Sequence, residues 1–268
     1  MKKCSMTKYW SPNLSLLDFG KPQGFTANDA AYHKWANDRA NTCIDIANAL
    51  NTKLIVLWLA REGTYIRESK NGLESHKYLV KSLNSMLEYD PKIEIAIESK
   101  PNEPMDHTYI PTIGHTLAIA HQTVDPQRGV GLIETTHAML AGLDPSDEMT
   151  FALVANKLWS VHLNDQNGFK FDQDKTFGAA NLRGAYNQVR ILELAGYAET
   201  ERFIGLDIKA MRSQKPKVAS QHLSNSRTIF LKLVEKVRSF PKEVQKQCID
   251  QRDYEAIKLA IIEHLLGD

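Results

Sequence analysis

Long apolar runs are missing from this 268-residue sequence, and so is an excess of either charge. No hydrophobic stretch reaches the roughly 20 residues that cross a bilayer as a helix, so no membrane span is expected. The formal net charge is +1, with neither a basic stripe nor an acidic tail. That argues against nucleic acid as a partner. Cysteine is scarce: Cys4, Cys43 and Cys248 are odd in number and far apart. They outline neither a disulfide framework nor a zinc cluster, and a reducing cytoplasm is the expected compartment. Met1-Lys2-Lys3 leads into polar residues rather than an apolar core, so no secretory signal is expected. Repeats, low-complexity tracts and Gly/Ser linkers are also absent, and nothing marks a domain boundary ahead of the C-terminal helices.

What is present is a chain with 43% hydrophobic residues, long enough for one large α/β domain or two small ones. Short β-branched runs over 53–59, 93–98, 130–134, 158–165 and 203–207 read as strands, and 8–14 as a weak strand end. Helical spacing connects them over 30–50, where Ala36, Ala40, Ile44, Ala47 and Leu50 recur, and over 73–89, where Leu79, Leu83 and Leu87 do. Further helices are expected over 109–122, 144–157 with Ser146 as the cap, 182–194, 221–239 and most of 242–266. Strands alternating with helices at this spacing mean a parallel sheet, and a (β/α)₈ barrel is the leading form. About six strands are legible, short of the eight of a closed barrel. The expected division is a partial barrel over 1–220 and C-terminal helices over 221–268. There, Leu231, Val234, Leu259, Ile262 and Leu265 serve either as barrel cover or as a subunit contact.

The strand over 93–98 organises the rest. It runs into Glu98-Ser99-Lys100-Pro101-Asn102-Glu103-Pro104, where two prolines stop it and stiffen the loop. Glu98 and Lys100, two residues apart, point the same way at the strand's C-terminal edge. On a barrel that edge presents catalytic groups. Later strand ends carry Glu134, His162 and Asp207. Three carboxylates and an imidazole converging on one face would repel without a cation, and suit Mg²⁺, Mn²⁺ or Co²⁺. A second group lies close by: Glu134 and His137 are three apart, and Asp172-Gln173-Asp174 places two carboxylates on one loop. Glu134 can bridge two ions, with His137, Asp172 and Asp174 completing the second site. Such a pair of ions supports hydrolysis, or the movement of hydrogen between adjacent carbons of a sugar. Lys100, able to donate to a carbonyl oxygen, and Trp58, able to cover a sugar's apolar face, favour the second.

These segments resemble the xylose isomerase group of sugar aldose–ketose isomerases. The matching stretches are Trp58-x-x-Arg61-Glu62-Gly63, Glu98-x-Lys100-Pro101-x-Glu103-Pro104, Glu134-x-x-His137 with Leu140-Ala141-Gly142, His162-Leu163-Asn164 with Asp172-Gln173-Asp174, and Asp207-Ile208-Lys209 with Arg212. The resemblance implies a metal-dependent TIM barrel, a homo-oligomer (dimer or tetramer), a small sugar substrate and two divalent ions. It implies Glu98, Glu134 and Asp207 as ligands of a structural ion, with His162 at the position of its remaining ligand. Glu134, His137, Asp172 and Asp174 are then ligands of a catalytic one. Lys100, His137 and Asp172 take the catalytic roles, Trp58, Lys100 and Asn164 meet substrate, and Glu103 supports them. The implied reaction is a hydride shift between C1 and C2.

The sequence departs from that group in two ways. His162 stands where xylose isomerases carry an aspartate, as in rhamnose isomerases, which loosens the assignment to xylose. The expected start of the chain also falls after the group's first βα units, which hold a His–Asp pair for ring opening. Three rival expectations follow. One is a sugar epimerase of the same superfamily, against which the Asp-x-Asp loop speaks. Another is phosphate-ester hydrolysis, against which the near-zero charge speaks. The last is a truncated barrel that binds metal without turnover.

Overall fold

Residues 24–267 are described by the structure, a computed structural model. The weak strand end over 8–14 lies outside them. Asp29 opens α1 (Ala30–Ala49) by accepting the Ala31 N–H at 2.8 Å, and Asn51 closes its end with a left-handed φ of 55°. Small residues at Ala36, Ala40 and Ala47 bury one face of α1, which lets it lie close to β1 (Leu54–Trp58). Then come β2 (Gly63–Thr64), α2 (Gly72–Tyr89), β3 (Glu94–Glu98), β4 (His107–Thr108), α3 (Ile113–Ala120), β5 (Gly129–Glu134), α4 (Thr135–Leu140), α5 (Pro145–Val154), β6 (Leu158–Leu163), α6 (Leu182–Leu194), β7 (Phe203–Leu206), α7 (Gln221–Ser239), α8 (Lys242–Gln251) and α9 (Tyr254–Leu266).

Five strands form one sheet in the order β1-β3-β5-β6-β7, with parallel pairing from β1 through β6. This is the βα repeat of a TIM barrel, five of whose strands lie among the described residues. Side chains alternate between its faces. Ile55, Leu57, Ile95 and Ile97 pack with Ile44, Leu79, Leu83 and Met86 of α1 and α2. Leu54, Val56, Ala96, Val130 and Leu132 form a separate cluster, against which Trp159 packs. Trp58, Glu98 and Glu134 continue the period of this second set at the C-terminal ends of β1, β3 and β5. Register pairs Trp58 with Glu98 and Glu134 with His162, so each pair shares a face.

Several expected boundaries move. The helix over 109–122 shrinks to Ile113–Ala120. Thr108, Tyr109 and Ile110 are already committed to Pro101, Glu62 and Lys100 by backbone hydrogen bonds, and Pro111 follows. Asp144, not Ser146, caps α5: it accepts the Ser146 N–H at 2.8 Å, with Pro145 in the first turn. The stretch 242–266 breaks into α8 and α9 at Arg252, which sits at a left-handed φ of 55°. The antiparallel pair β2–β4 was not expected. A Cβ on Gly63 would fall 2.2 Å from the His107 carbonyl oxygen, so only glycine permits this approach. Cys43 and Cys248 are buried and free, and burial pushes the Cys43 thiol up to about 11, in keeping with a packing role.

Arg128 locks the sheet's N-terminal edge. Its guanidinium donates to the carbonyls of Leu87, Asp90 and Ile93 at 2.8–3.1 Å and to Asp125 at 2.7 Å. Arg128→Ala orphans three carbonyls at once and is expected to cost about 3 kcal/mol in a urea melt. A loss below about 0.5 kcal/mol would mean that water replaces the side chain freely.

The chain divides into two compact units. Among the described residues, the first holds 24–163, Gly168–Asp172 and Phe203–Gly205; the second holds Asn164–Asn167, Gln173–Arg202 and 206–267. In the second, Asp165 accepts the N–H groups of Ala180 and Asn181 just ahead of α6, at 2.7 and 3.0 Å. Phe177 meets Phe230 of α7 at 6.4 Å between ring centroids, and the Phe240 ring meets His264 of α9 edge-on at 5.3 Å.

Candidate metal centre

Within the first unit, the sheet's C-terminal edge gathers charge that globular interiors normally exclude. Glu98 ends β3 and is 6% exposed; Glu134 ends β5 and is 3% exposed. The turn from β5 straight into α4 brings His137 back over Glu134, at 2% exposure. Lys100, two residues past Glu98, is 5% exposed. Asp172 closes the short loop Gly168–Asp172. His162 lies one residue before the end of β6.

His137 is the hub. Its Nε2 lies 3.3 Å from Glu134 Oε2 and 3.2 Å from Asp172 Oδ2, and its Nδ1 lies 3.6 Å from Glu98 Oε1. His162 Nδ1 approaches Glu98 Oε2 at 3.9 Å. Lys100 Nζ donates to Asp172 Oδ2 at 2.8 Å and stands 3.4 Å from Glu103 Oε2. The same ammonium lies 5.3 Å from the centroid of the Trp58 ring. Glu103 accepts the Asp172 backbone N–H at 3.0 Å and so ties the loop after β3 to the loop carrying Asp172. Burial alone would depress the Lys100 amine, but Asp172, Glu103 and Glu134 outweigh it and hold the pKa above its usual value. Burial works against the Asp172 carboxylate as well. The His137 hydrogen bond and the Lys100 ammonium prevail and hold it well below the usual carboxylate range.

Three features make this group suit a divalent cation. First, one ligand atom each from Glu98, Glu134 and His137 fall within 4.8 Å of one another. Neighbouring ligands around an octahedral ion with bonds of about 2.1 Å sit about 3.0 Å apart, close to the 3.2 and 3.3 Å found around His137 Nε2. Second, His137 Nδ1 and Asp172 Oδ1 are buried without a hydrogen-bond partner among the described residues. Third, the buried carboxylates of Glu98 and Glu134 gather beside the Asp172–Lys100 ion pair, a concentration of negative charge that a divalent ion offsets. Oxygen donors with imidazole suit Mg²⁺, Mn²⁺ or Co²⁺.

The remaining expected residues belong to the second unit. Asn164 Nδ2 donates to the buried Asp174 carboxylate at 3.1 Å, Lys209 N–H donates to the Asp174 carbonyl at 2.8 Å, and the Lys209 ammonium pairs with the same side chain. Asp207 directly follows β7 and is exposed. Glu62 went unassigned in sequence beyond its motif. It is buried and accepts the N–H groups of Gly24, Phe25 and Thr26 at 2.9–3.2 Å, and the Thr26 hydroxyl. It anchors the entry to α1. An acidic residue in a strand-end loop is the only sequence signal, and it does not disclose these partners.

A family model described as xylose isomerase-like TIM barrel matches residues 11–223. A xylose isomerase from Thermus thermophilus is 30% identical over 227 residues, which cover 83% of this chain. The chain spans 58% of that relative's length. Among solved structures, a D-tagatose 3-epimerase-like protein superposes with a TM-score of 0.66 at 18% identity, covering 82% of this chain and 76% of the other. The 3-keto-D-glucoside 4-epimerase from E. coli superposes at 0.61 and 9% identity, covering 82% and 78%. The structural likenesses speak for the fold; the family model and the Thermus relative speak for descent. The chain belongs to the xylose isomerase-like TIM-barrel family.

Proposed function

We propose that this chain is a divalent-metal-dependent aldose–ketose isomerase acting on a small sugar. The observation that carries the reading is the Lys100 ammonium. It is buried among Asp172, Glu103 and Glu134 and lies over the Trp58 ring. Glu98, Glu134, His137 and Asp172 would hold one ion, with His162 beside them. A second ion, with Asp174 and Asp207 among its surroundings, is read from the strand-end and Asp-x-Asp pattern together with the resemblance, and the role of Asn164 from the resemblance. When bound there, a divalent ion would supply Lewis-acid polarisation of adjacent sugar oxygens, the chemistry that a hydrogen transfer between C1 and C2 calls for.

The chain's own residues do the rest. Lys100 donates to the sugar's carbonyl oxygen and stabilises the negative charge that develops there. Its raised pKa keeps it a donor across the neutral range. Trp58 covers the apolar face of the sugar and excludes water. His137 bonds to Asp172, which in turn holds Lys100 in place. Glu103 fixes the Asp172 backbone. Membership in the same family as a xylose isomerase 30% identical supports this reading.

A second reading is a sugar epimerase. The fold likeness to several 3-epimerases and the two buried glutamates flanking one histidine favour it. The two readings separate in D₂O. With Mn²⁺ and a panel of xylose, rhamnose, fructose and tagatose, NMR is expected to show aldose–ketose exchange without solvent deuterium at C1 or C2. A C3-epimeric ketose carrying deuterium would transfer the assignment to epimerisation. Metal uptake without any turnover would remove the catalytic claim for this chain.

A further inference from the structure

Away from the metal centre, beside the start of α1, lies a cavity of about 360 Å³. Asn28, Asp29, Tyr32, Thr64, Tyr65 and Lys70 are among its lining residues. Most of its polar side chains are already spent on the backbone. Asn28 Nδ2 donates to the Ser69 carbonyl, Thr64 Oγ1 donates to the Ile66 carbonyl, and Asp29 accepts the Ala31 N–H. Lys70 is different. Its amine is half-buried and donates to Thr26 Oγ1 at 2.9 Å, while Thr26 donates its own hydroxyl proton to Glu62. The Tyr109 ring lies 5.7 Å away. No carboxylate among the described residues pairs directly with Lys70, since Glu62 is saturated by three backbone N–H groups and the Thr26 hydroxyl. Among the described residues that line the cavity or face Lys70, Glu62 and Asp29 are acidic and Tyr32, Tyr65 and Tyr109 are titratable, while Arg67 and Glu68 sit exposed in the short helix just before Lys70.

We propose that this cavity is a carbonyl-capture site, in which the Lys70 amine forms an imine with small aldehydes, open-chain aldoses included. The neutral nitrogen attacks the carbonyl carbon and a C–N bond forms. Both amine hydrogens leave with the former carbonyl oxygen as water, and the C=N bond remains. No oxidant or reductant is needed. An amine reacts this way only when unprotonated, and the site favours that form: burial brings Lys70 down to about 8 against the opposing pull of Glu62. Surface lysines contrast with it. Lys34 and Lys77 are exposed and ion-paired with Asp38 and Glu74, and the Glu74 hydrogen bond raises the Lys77 amine further. The cavity gives an aldehyde access to an amine that solvent only partly covers.

The test uses the full chain and glyceraldehyde as the probe. Adducts are trapped by cyanoborohydride at short exposure and quantified by peptide mass spectrometry. At pH 7.5 Lys70 is expected to be modified at least about tenfold faster than Lys34 or Lys77. Its rate should level off above about pH 8, while that of Lys77, whose amine the Glu74 hydrogen bond raises, keeps rising beyond it. Lys70 labelling no faster than Lys34, or a rate that keeps climbing tenfold per pH unit through pH 9, would overturn the proposal. Neither result bears on the metal centre or on sugar turnover, so the two proposals fail independently.

Discussion

Lys100→Met is expected to lower kcat/KM for sugar isomerisation by about 10²–10³-fold, the loss typical of removing one donor from a developing oxyanion. Methionine keeps much of the length and apolar stem, so packing against Trp58 survives. The ammonium does not. Asp172 then loses the partner at 2.8 Å, and the centre becomes more negative. Two readouts should therefore move apart. Turnover falls, while the stabilisation gained from added Mn²⁺ holds or increases, because a cation now has more charge to offset. Steady-state kinetics paired with thermal melts in a Mn²⁺ series would show this divergence. A kcat/KM within twofold of the parent would remove Lys100 from the reaction. A parallel collapse of activity and metal response would make it a purely structural counter-ion.

Glu134→Gln addresses the metal instead. Glu134 stands 3.3 Å from His137 Nε2 and is almost wholly buried, so an amide of the same shape removes charge with little change of volume. Mn²⁺ affinity is expected to weaken at least about 100-fold, roughly 2.7 kcal/mol. At a metal concentration one hundred times the parent's Kd, the parent gains about 2.7 kcal/mol of stability. A variant binding 100-fold more weakly gains only about 0.4 kcal/mol. Without divalent ions the variant should melt no lower than the parent, since one of three crowded buried carboxylates has been neutralised. Equal metal-induced shifts in the two proteins would exclude Glu134 as a ligand.

Much of this was legible in the residues because barrel strands and their ends leave strong signals. The apolar runs ending in Glu98, Glu134 and His162 are strands with those groups at their C-terminal edges. The helix over 182–194 and that over 221–239 match their expected spans, since each offers several turns of period. What escaped was short or non-local. α4 has six residues and opens with two β-branched threonines, too little for a helical period to register. Yet this turn folds His137 onto Glu134. β2 and β4 have two residues each, and their pairing follows from a close approach at Gly63 that no local pattern encodes. Glu62 and Arg128 act through partners 38 residues away. Pro145, by contrast, was a usable signal: proline in the first turn marks the residue before it, Asp144, as the cap.

The most direct test of the centre is a titration of the full-length chain with Mn²⁺, following the paramagnetic resonance signal of the free ion. Glu98, Glu134, His137 and Asp172, acting together, should suppress that signal until at least one ion is bound per chain, with a defined saturation point. Excess Mg²⁺ or Co²⁺ should release the bound Mn²⁺. A free-ion signal that follows total Mn²⁺ linearly from the first addition would contradict a metal centre at these residues, and with it the isomerase built on them.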